Sequence, residues 1–84
     1  MGLRLIGVPT SAGAYGVGQE EAPGALRDCG LVDSIATEVA DSGDLPTTPF
    51  RPDPSHRRSQ NIETVTEVAT NVRDVVASAI ADGH

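Results

Sequence analysis

The first third of the chain begins with an apolar run and continues with a glycine-rich segment. Residues 3–8 (LRLIGV) are mostly apolar and end at Pro9, which is typical of a short buried strand. Residues 10–22 contain three glycines and show little periodicity. Because glycine permits backbone angles that other residues resist, this segment predicts a long, shaped loop.

The next pattern predicts short helices and a second strand. Pro23 suits a first helical turn and Gly30 suits a helix end, so we predict a short helix over residues 23–29. Residues 31–36 add one or two further turns. Residues 38–41 lie between turn-forming residues and predict the second strand.

The last part of the chain contains a proline-rich loop and then the most regular pattern. Four prolines in residues 46–60, with three arginines and a histidine, predict an exposed, extended loop. Apolar residues then recur at three- and four-residue steps, which predicts one amphipathic helix over residues 61–82. The stripe is Ile62, Val65, Ala69, Val72, Val76, Ala79 and Ile80.

The flanks of this helix also follow a pattern. Asn61 or Ser59 can cap its start and Gly83 can end it. Val68 and Val75 widen the apolar stripe, so we expect the helix to pack against a sheet. The predicted solvent-facing positions are Glu67, Asn71, Asp74, Ser78 and Asp82.

The order of these elements predicts an α/β fold with a parallel sheet covered on both faces. Two strands do not complete such a sheet. We therefore expect residues 1–84 to be the beginning of a larger domain, with residues 61–82 as a crossover helix whose next strand follows His84. The chain shows no internal repeat.

Composition excludes several classes of partner. The chain has 84 residues, which makes one small domain at most. Twelve acidic residues against six basic ones give a net charge of −6, which argues against a nucleic-acid or anionic-membrane surface. The single Cys29 suits a reducing compartment, the N-terminus lacks a signal pattern, and the apolar runs are too short to span a bilayer. We expect a cytoplasmic protein with neither nucleic-acid nor membrane partners.

Few residues form a pattern typical of a chemical site. His56 and His84 have no partner at metal-ligand spacing, so we expect structural or incidental roles for them. Cys29 lies in the predicted short helix, where we expect a small buried residue rather than a nucleophile.

Two aspartates and the glycine loop are the remaining candidates. Asp41 and Asp44 lie near the end of the second strand, where α/β folds often place ligand contacts. Turn chemistry around Gly43 is the alternative interpretation. The loop glycines follow the order G-x-x-G-x-G, the reverse of the dinucleotide fingerprint, and the chain has no lysine for a P-loop.

Several ordered segments carry a resemblance to a known family. They are IGVPTSAG at residues 6–13, GQEEAPGALR at 18–27, GL at 30–31 and DSGDL at 41–45. In this order and separation they resemble the N-terminal segment of the arginase, agmatinase and formiminoglutamase family of ureohydrolases. The DSGDL segment resembles the family's second strand, which runs into an Asp-x-Gly-Asp turn. The resemblance covers almost the whole chain except the proline-rich loop.

The resemblance implies a three-layer α/β fold and a binuclear metal site. Two divalent metals, usually manganese, activate a bridging hydroxide that hydrolyses a guanidino or formimino compound at a C–N bond. The family takes its metal ligands from a Gly-Gly-Asp-His-type turn, an Asp-Ala-His-x-Asp segment and an Asp-x-Asp-x-x-Asp-Pro segment. These 84 residues contain none of the three, and Asp82-Gly83-His84 has the wrong order. We therefore assign no catalytic, cofactor-binding or metal-ligating residue to this chain.

The leading hypothesis is thus an N-terminal fragment of a manganese-dependent ureohydrolase that is inert by itself. Its expected partners are the remainder of the same polypeptide and further copies in a homo-oligomer. The alternative is a stand-alone, non-catalytic α/β subunit that docks through the helix at 61–82, and a nucleotide-binding half-domain is a third possibility. The loop at residues 14–18 has no arginine, unlike that of many arginases, so arginine, agmatine, other guanidino compounds and formimino compounds all stay open as substrates.

Overall fold

A computed structural model describes residues 2–83, and the elements follow an α/β order. A turn of 3-10 helix precedes the first α-helix. The elements are β1 (Leu3–Gly7), the 3-10 turn (Gln19–Glu21), α1 (Ala22–Asp28), α2 (Leu31–Ser34), β2 (Val39–Asp44) and α3 (Ile62–Ala81). The α/β class predicted from the sequence is confirmed, and most predicted element ends differ from the observed ones by one or two residues.

Strands β1 and β2 form a parallel pair. The register places Leu5 opposite Asp41 and, after an irregularity, Gly7 opposite Asp44. The predicted second strand, 38–41, was too short, because β2 continues to Asp44. Gly43 has a φ of 78°, a conformation that glycine adopts without steric cost, and the strand can therefore pass through a turn-like residue without ending.

Helices cover both faces of this sheet. Successive residues of a strand face opposite sides of the sheet, so Gly7 lies on one face and Ile6 on the other. Pro23 of α1 lies against Gly7, whereas Ile6 and Val75 of α3 line one cavity. Within residues 2–83, α1 therefore lies on one face of the strand pair and α3 on the other.

The face of α3 that contacts the sheet is rotated from the predicted one. The half-buried or buried positions are Thr64, Val65, Val68, Val72, Val75 and Ala79. Four members of the predicted stripe are exposed instead: Ala69, together with Ile62 by 41%, Val76 by 44% and Ile80 by 66%. Val75 and Ser78 lie beside β2 residues, so the exposed stripe occupies the flank of α3 that points away from β2. Within residues 2–83 the sheet has two strands and does not reach that flank.

The ends of α3 are set by two residues with left-handed backbone angles. Gly83 has a φ of 93° just after the helix, as predicted for a helix-ending glycine. Asn61 occupies the cap position with a φ of 59°, but its side chain makes no capping bond. It donates instead to the carbonyl of Arg51, which fixes the proline-rich loop to the start of α3. The predicted solvent-facing positions of α3 are exposed.

Little of the chain is fully buried. The buried residues among residues 2–83 are Gly7, Pro9, Ser11, Ala12 and Ala79. In the same part of the chain, no helix combines the length and apolar character required to cross a membrane. Stability therefore depends on half-buried contacts such as those between α3 and the sheet.

We expect Val72→Asp to lower the free energy of unfolding by about 2 kcal/mol or more, because it places an unpaired carboxylate in the contact between α3 and the sheet. Ala77→Asp introduces the same carboxylate at an exposed position of the same helix and should cost under about 1 kcal/mol. Chemical denaturation monitored by circular dichroism measures both values. Equal costs would show that this side of α3 does not pack on the sheet.

Candidate functional site

The carboxyl ends of β1 and β2 lie at the same edge of the sheet because the strands are parallel. This edge is where open α/β sheets bind ligands. Two groups of residues occur here. One is an ion-paired cluster at the end of β2, and the other is a cavity beyond the end of β1.

The ion-paired cluster, which we term the arginine clamp, consists of Arg27, Asp41 and Asp44. Arg27 lies in the last turn of α1, and its Nε and Nη2 atoms donate to the two carboxylate oxygens of Asp41 at 2.9 and 3.0 Å. Its Nη1 atom donates to Asp44 Oδ1. The bidentate geometry makes this a directional contact between α1 and β2 rather than a loose ion pair.

The clamp favours the ionised forms of Arg27 and Asp41. Hydrogen bonds from Arg27 lower the pKa of Asp41, and a 2.9 Å bond from the backbone N–H of Gly43 lowers it further. Hydrogen bonds to Asp44 and then to Asp41 raise the pKa of Arg27. The three side chains are 23 to 34% exposed, so solvent screens their attraction in part.

Gly7 makes room for the clamp. A Cβ atom at this position would overlap the carboxylate of Asp44 and lie 3.1 Å from the Cβ of Pro23. Glycine is therefore required here by close approach rather than by an unusual backbone angle. Because Gly7 has no side chain, Pro23 of α1 and the carboxylate of Asp44 can both lie close to β1 at this position.

These contacts include turn chemistry at Asp41 and an ion pair for each aspartate. The bond from Gly43 to Asp41 is the predicted turn chemistry, and the bonds to Arg27 occupy both carboxylates. Sequence reasoning missed the role of Arg27. One signal was present, because Arg27 is the single basic residue between Arg4 and Arg51 and lies in the predicted short helix that precedes the two aspartates.

A cavity of about 370 Å³ lies between the first loop and α3. We term it the loop cavity. Its lining combines polar and small residues of the loop with two valines of the helix. These residues are Thr10, Ser11, Gly13, Ala14, Gln19, Val65 and Val68. A volume of this size is within the range of small-molecule sites.

The base of the first loop is fixed to the segment that follows β2. Thr10 and Thr48 form a parallel bridge beyond the strands, and the Oγ1 atom of Thr48 donates to that of Thr10 at 2.7 Å. Ser11 is 2% exposed, and its Oγ accepts from the N–H of Phe50 at 2.8 Å while donating to Glu20 Oε1 at 2.8 Å. The hydroxyls at the inner wall of the cavity are thus engaged in structural bonds.

Glu20 closes the loop from its other end. Both of its carboxylate oxygens accept from the N–H of Gly18, at 2.6 and 2.9 Å. This backbone bond, followed by the bond from Ser11, lowers the pKa of Glu20 and keeps it ionised. Between the two fixed ends, the tip of the loop exposes Tyr15 by 77% and Val17 by 72%. The loop therefore has a hydrogen-bonded base and an exposed apolar tip.

Gln19 is the polar side chain that the cavity leaves available. It is exposed, lines the cavity, and forms no side-chain hydrogen bond within residues 2–83. Val65 and Val68 provide an apolar wall opposite it, and Gly13 lies close to Val65. A short aliphatic group with one polar end matches this combination.

The remaining predicted candidates lie elsewhere. His56 Nδ1 is 2.9 Å from Asp53 Oδ2, in the turn that leads to α3. Burial raises the pKa of Asp53, but the bonds from His56 and from the N–H of Asn61 together lower it below its ordinary value. The expectation that Cys29 is buried inside a helix was wrong. Cys29 is exposed, because it lies at the C-terminal cap of α1, just beyond the last helical residue. His84 lies outside the described residues.

The described residues do not converge on a metal. Across residues 2–83, no three side chains of the His, Cys, Asp and Glu types lie together in an arrangement able to hold an ion. Asp41 and Asp44 have carboxylates of the type that divalent cations bind, but both contact the guanidinium of Arg27 instead.

Comparison with known proteins adds no assignment. No protein-family model, curated protein or solved structure matches the chain.

We expect Gly7→Ala to lower the free energy of unfolding by about 1 to 3 kcal/mol, because its methyl group displaces the Asp44 carboxylate from the clamp. Gly24→Ala is the matched control, since nothing lies within 4 Å of the added Cβ in α1. There alanine favours the helix, and stability should rise by up to about 1 kcal/mol. Opposite signs in denaturant titrations are expected, and destabilisation by both would contradict the close approach at Gly7.

The clamp also predicts an acid-sensitive contribution to stability. Because the folded pKa of Asp41 is lowered, its contribution is present above its ordinary value of about 3.9 and is lost as the pH falls through the folded pKa. The free energy of unfolding should therefore fall less in Arg27→Gln than in the parent chain as the pH is lowered from about 5.

Arg73→Gln is the matched control for that measurement, because it removes an arginine from an exposed pair with Asp74. Its acid dependence should equal that of the parent chain. If Arg27→Gln retains the full acid dependence as well, the clamp does not persist in solution.

Proposed function

We propose that this chain is the N-terminal segment of a manganese-dependent ureohydrolase, in which it positions the carboxyl edge of the sheet. The observation that carries the proposal is the arginine clamp. Gly7, Arg27 and the pair Asp41 and Asp44 come from three of the segments that resemble the ureohydrolase family. The fold brings these three segments to one point, where each fits the other two.

The clamp is assigned a positioning role rather than a chemical one. Arg27 occupies both aspartates, so the metal ligands implied by the resemblance belong to other segments of the parent polypeptide. In that polypeptide, manganese would supply an activated hydroxide for attack on a guanidino or formimino carbon. No step of the reaction is derived from the residues of this chain.

The open surfaces of the chain support a larger domain. A two-stranded parallel sheet is not a stable unit in isolation, because parallel sheets are normally covered and extended on both sides. Ile62, Val76 and Ile80 of α3 are exposed on the flank that points away from β2. A further strand beside β1 would cover this flank. The expected partners are thus the remainder of the polypeptide and, in a cytoplasmic enzyme, further copies of it.

A second candidate function rests on the same exposed stripe. If the chain is a non-catalytic assembly subunit, Ile62, Val76 and Ile80 would contact a separate protein rather than a strand of the same polypeptide. In the ureohydrolase proposal the segment that covers this stripe belongs to the same polypeptide, whereas in the assembly function it belongs to a different protein.

The coding sequence and the activity of its product test the proposal together. We expect the reading frame to continue beyond the codon for His84 into a strand and the three acidic metal-binding segments of the family. The polypeptide expressed from the complete frame should release urea or ammonia from a guanidino or formimino compound when manganese is added, and should lose this activity after chelation.

Two results would contradict the ureohydrolase proposal. One is a complete frame that lacks the three segments and has no companion chain that supplies them. The other is a polypeptide that carries them but hydrolyses none of these compounds with manganese. Recovery of the chain in a stable complex with an unrelated protein, lost in Val76→Asp, would favour the assembly function instead.

A further inference from the structure

The second half of the proline-rich loop is held in place by its own side chains. Gln60 Oε1 accepts from the N–H of Asp53 at 2.8 Å, and Gln60 Nε2 donates to the carbonyl of Asp53 at 3.0 Å. The side chain of Asn61 joins the two ends of the segment by donating to the carbonyl of Arg51 at 2.8 Å. We term residues 51–60 the cationic loop. Because these bonds already order its backbone, little conformational entropy is lost when it contacts another molecule.

The cationic loop presents its positive charges to solvent. Its one acidic residue, Asp53, has a side chain that is 20% exposed and that bonds to His56 and to the N–H of Asn61. The exposed arginines of the loop are Arg51, Arg57 and Arg58. Within residues 2–83 these three form no ion pair, whereas each of the other three arginines pairs with an aspartate. The loop is therefore a surface of free guanidinium groups whose one carboxylate is used in internal bonds.

The segment that leads into β2 has the opposite charge. Residues 28–38, which we term the acidic segment, contain no basic residue and three acidic ones. These are Asp28, Asp33 and Glu38, which are exposed and form no ion pair within residues 2–83. Glu38 immediately precedes β2, and its carbonyl accepts from the N–H of Leu3 at the start of β1. The acidic segment therefore ends at the amino edge of the sheet.

The two charged surfaces lie at opposite ends of β2. The acidic segment precedes this strand and the cationic loop follows it, and a strand of six residues spans roughly 20 Å. The free arginines and the free carboxylates do not meet within one chain. They can meet only between two chains.

We propose that the cationic loop of one copy of this chain binds the acidic segment of a second copy. Each copy offers one surface and receives the other, so the contact is head-to-tail. A guanidinium suits it because it can donate two parallel hydrogen bonds to one carboxylate. The net charge of −6 does not prevent the contact, because charges more than about 8 Å apart are largely screened at physiological ionic strength.

Sedimentation equilibrium of the 84-residue chain tests this contact, which does not depend on the ureohydrolase proposal. At low ionic strength we expect the weight-average mass to rise above that of the monomer as the protein concentration increases. Because the contacting groups are exposed charges, the association constant should fall at least tenfold when the salt concentration is raised from about 0.05 to about 0.5 M.

Two double variants separate the surfaces. Arg57→Ser with Arg58→Ser weakens the cationic loop, and Asp33→Asn with Glu38→Gln weakens the acidic segment. Each double variant alone should self-associate at least tenfold more weakly than the parent. A mixture of the two should form a 1:1 dimer with the parent affinity, because each retains the surface that the other lacks. Arg73→Gln is the matched control, since it removes an exposed arginine outside the loop and should leave association unchanged.

Three results would overturn the proposal. They are a parent chain that stays monomeric at low ionic strength, double variants that associate like the parent, and a mixture of them that forms no dimer. Circular dichroism checks that each variant keeps the parent helix content. Association that is insensitive to salt and lost in Val76→Asp would also contradict it, because the contact would then lie on the exposed flank of α3.

Discussion

The bidentate contact of Arg27 with Asp41 is the interaction on which the rest of the arrangement depends. It joins the last turn of α1 to β2, although the two elements are separated in sequence by α2. Because the same guanidinium also binds Asp44, it spans the irregularity in the strand pairing. A side chain at Gly7 would separate the partners. Gly7 and Arg27 thus fix the position of α1 on the sheet in a chain in which few side chains are fully buried.

Local elements were predictable because their signals are local. The apolar run at the start of the chain, Pro23 in the first turn of α1, and Gly83 after α3 each act within a few residues. The buried face of α3 was predicted less well. The periodicity of its apolar residues defines a wide stripe, and what decides which part is covered is the width of the sheet beneath it. Ile80 is therefore apolar and still 66% exposed.

The site required contacts that no spacing rule describes. Asp41 and Asp44 were predictable as a pair, but their partner lies 14 and 17 residues earlier in the chain. The bond between Ser11 and the backbone of Phe50 spans 39 residues and depends on the parallel bridge that follows the strands. A sequence shows which side chains can form hydrogen bonds and ion pairs. Which of these side chains come into contact depends on the register of the strands, and the sequence does not show that register.

The carboxyl edge of the sheet and the exposed flank of α3 differ in the kind of group they leave without a partner. At the carboxyl edge, the buried hydroxyl of Ser11 and the carboxylate of Asp41 have partners within the chain. The open surfaces are lateral and apolar instead, on the flank of α3 that carries Val76 and Ile80. The polar groups of this edge are therefore used to hold α1 and the first loop on the sheet, whereas the apolar flank of α3 is left open to solvent.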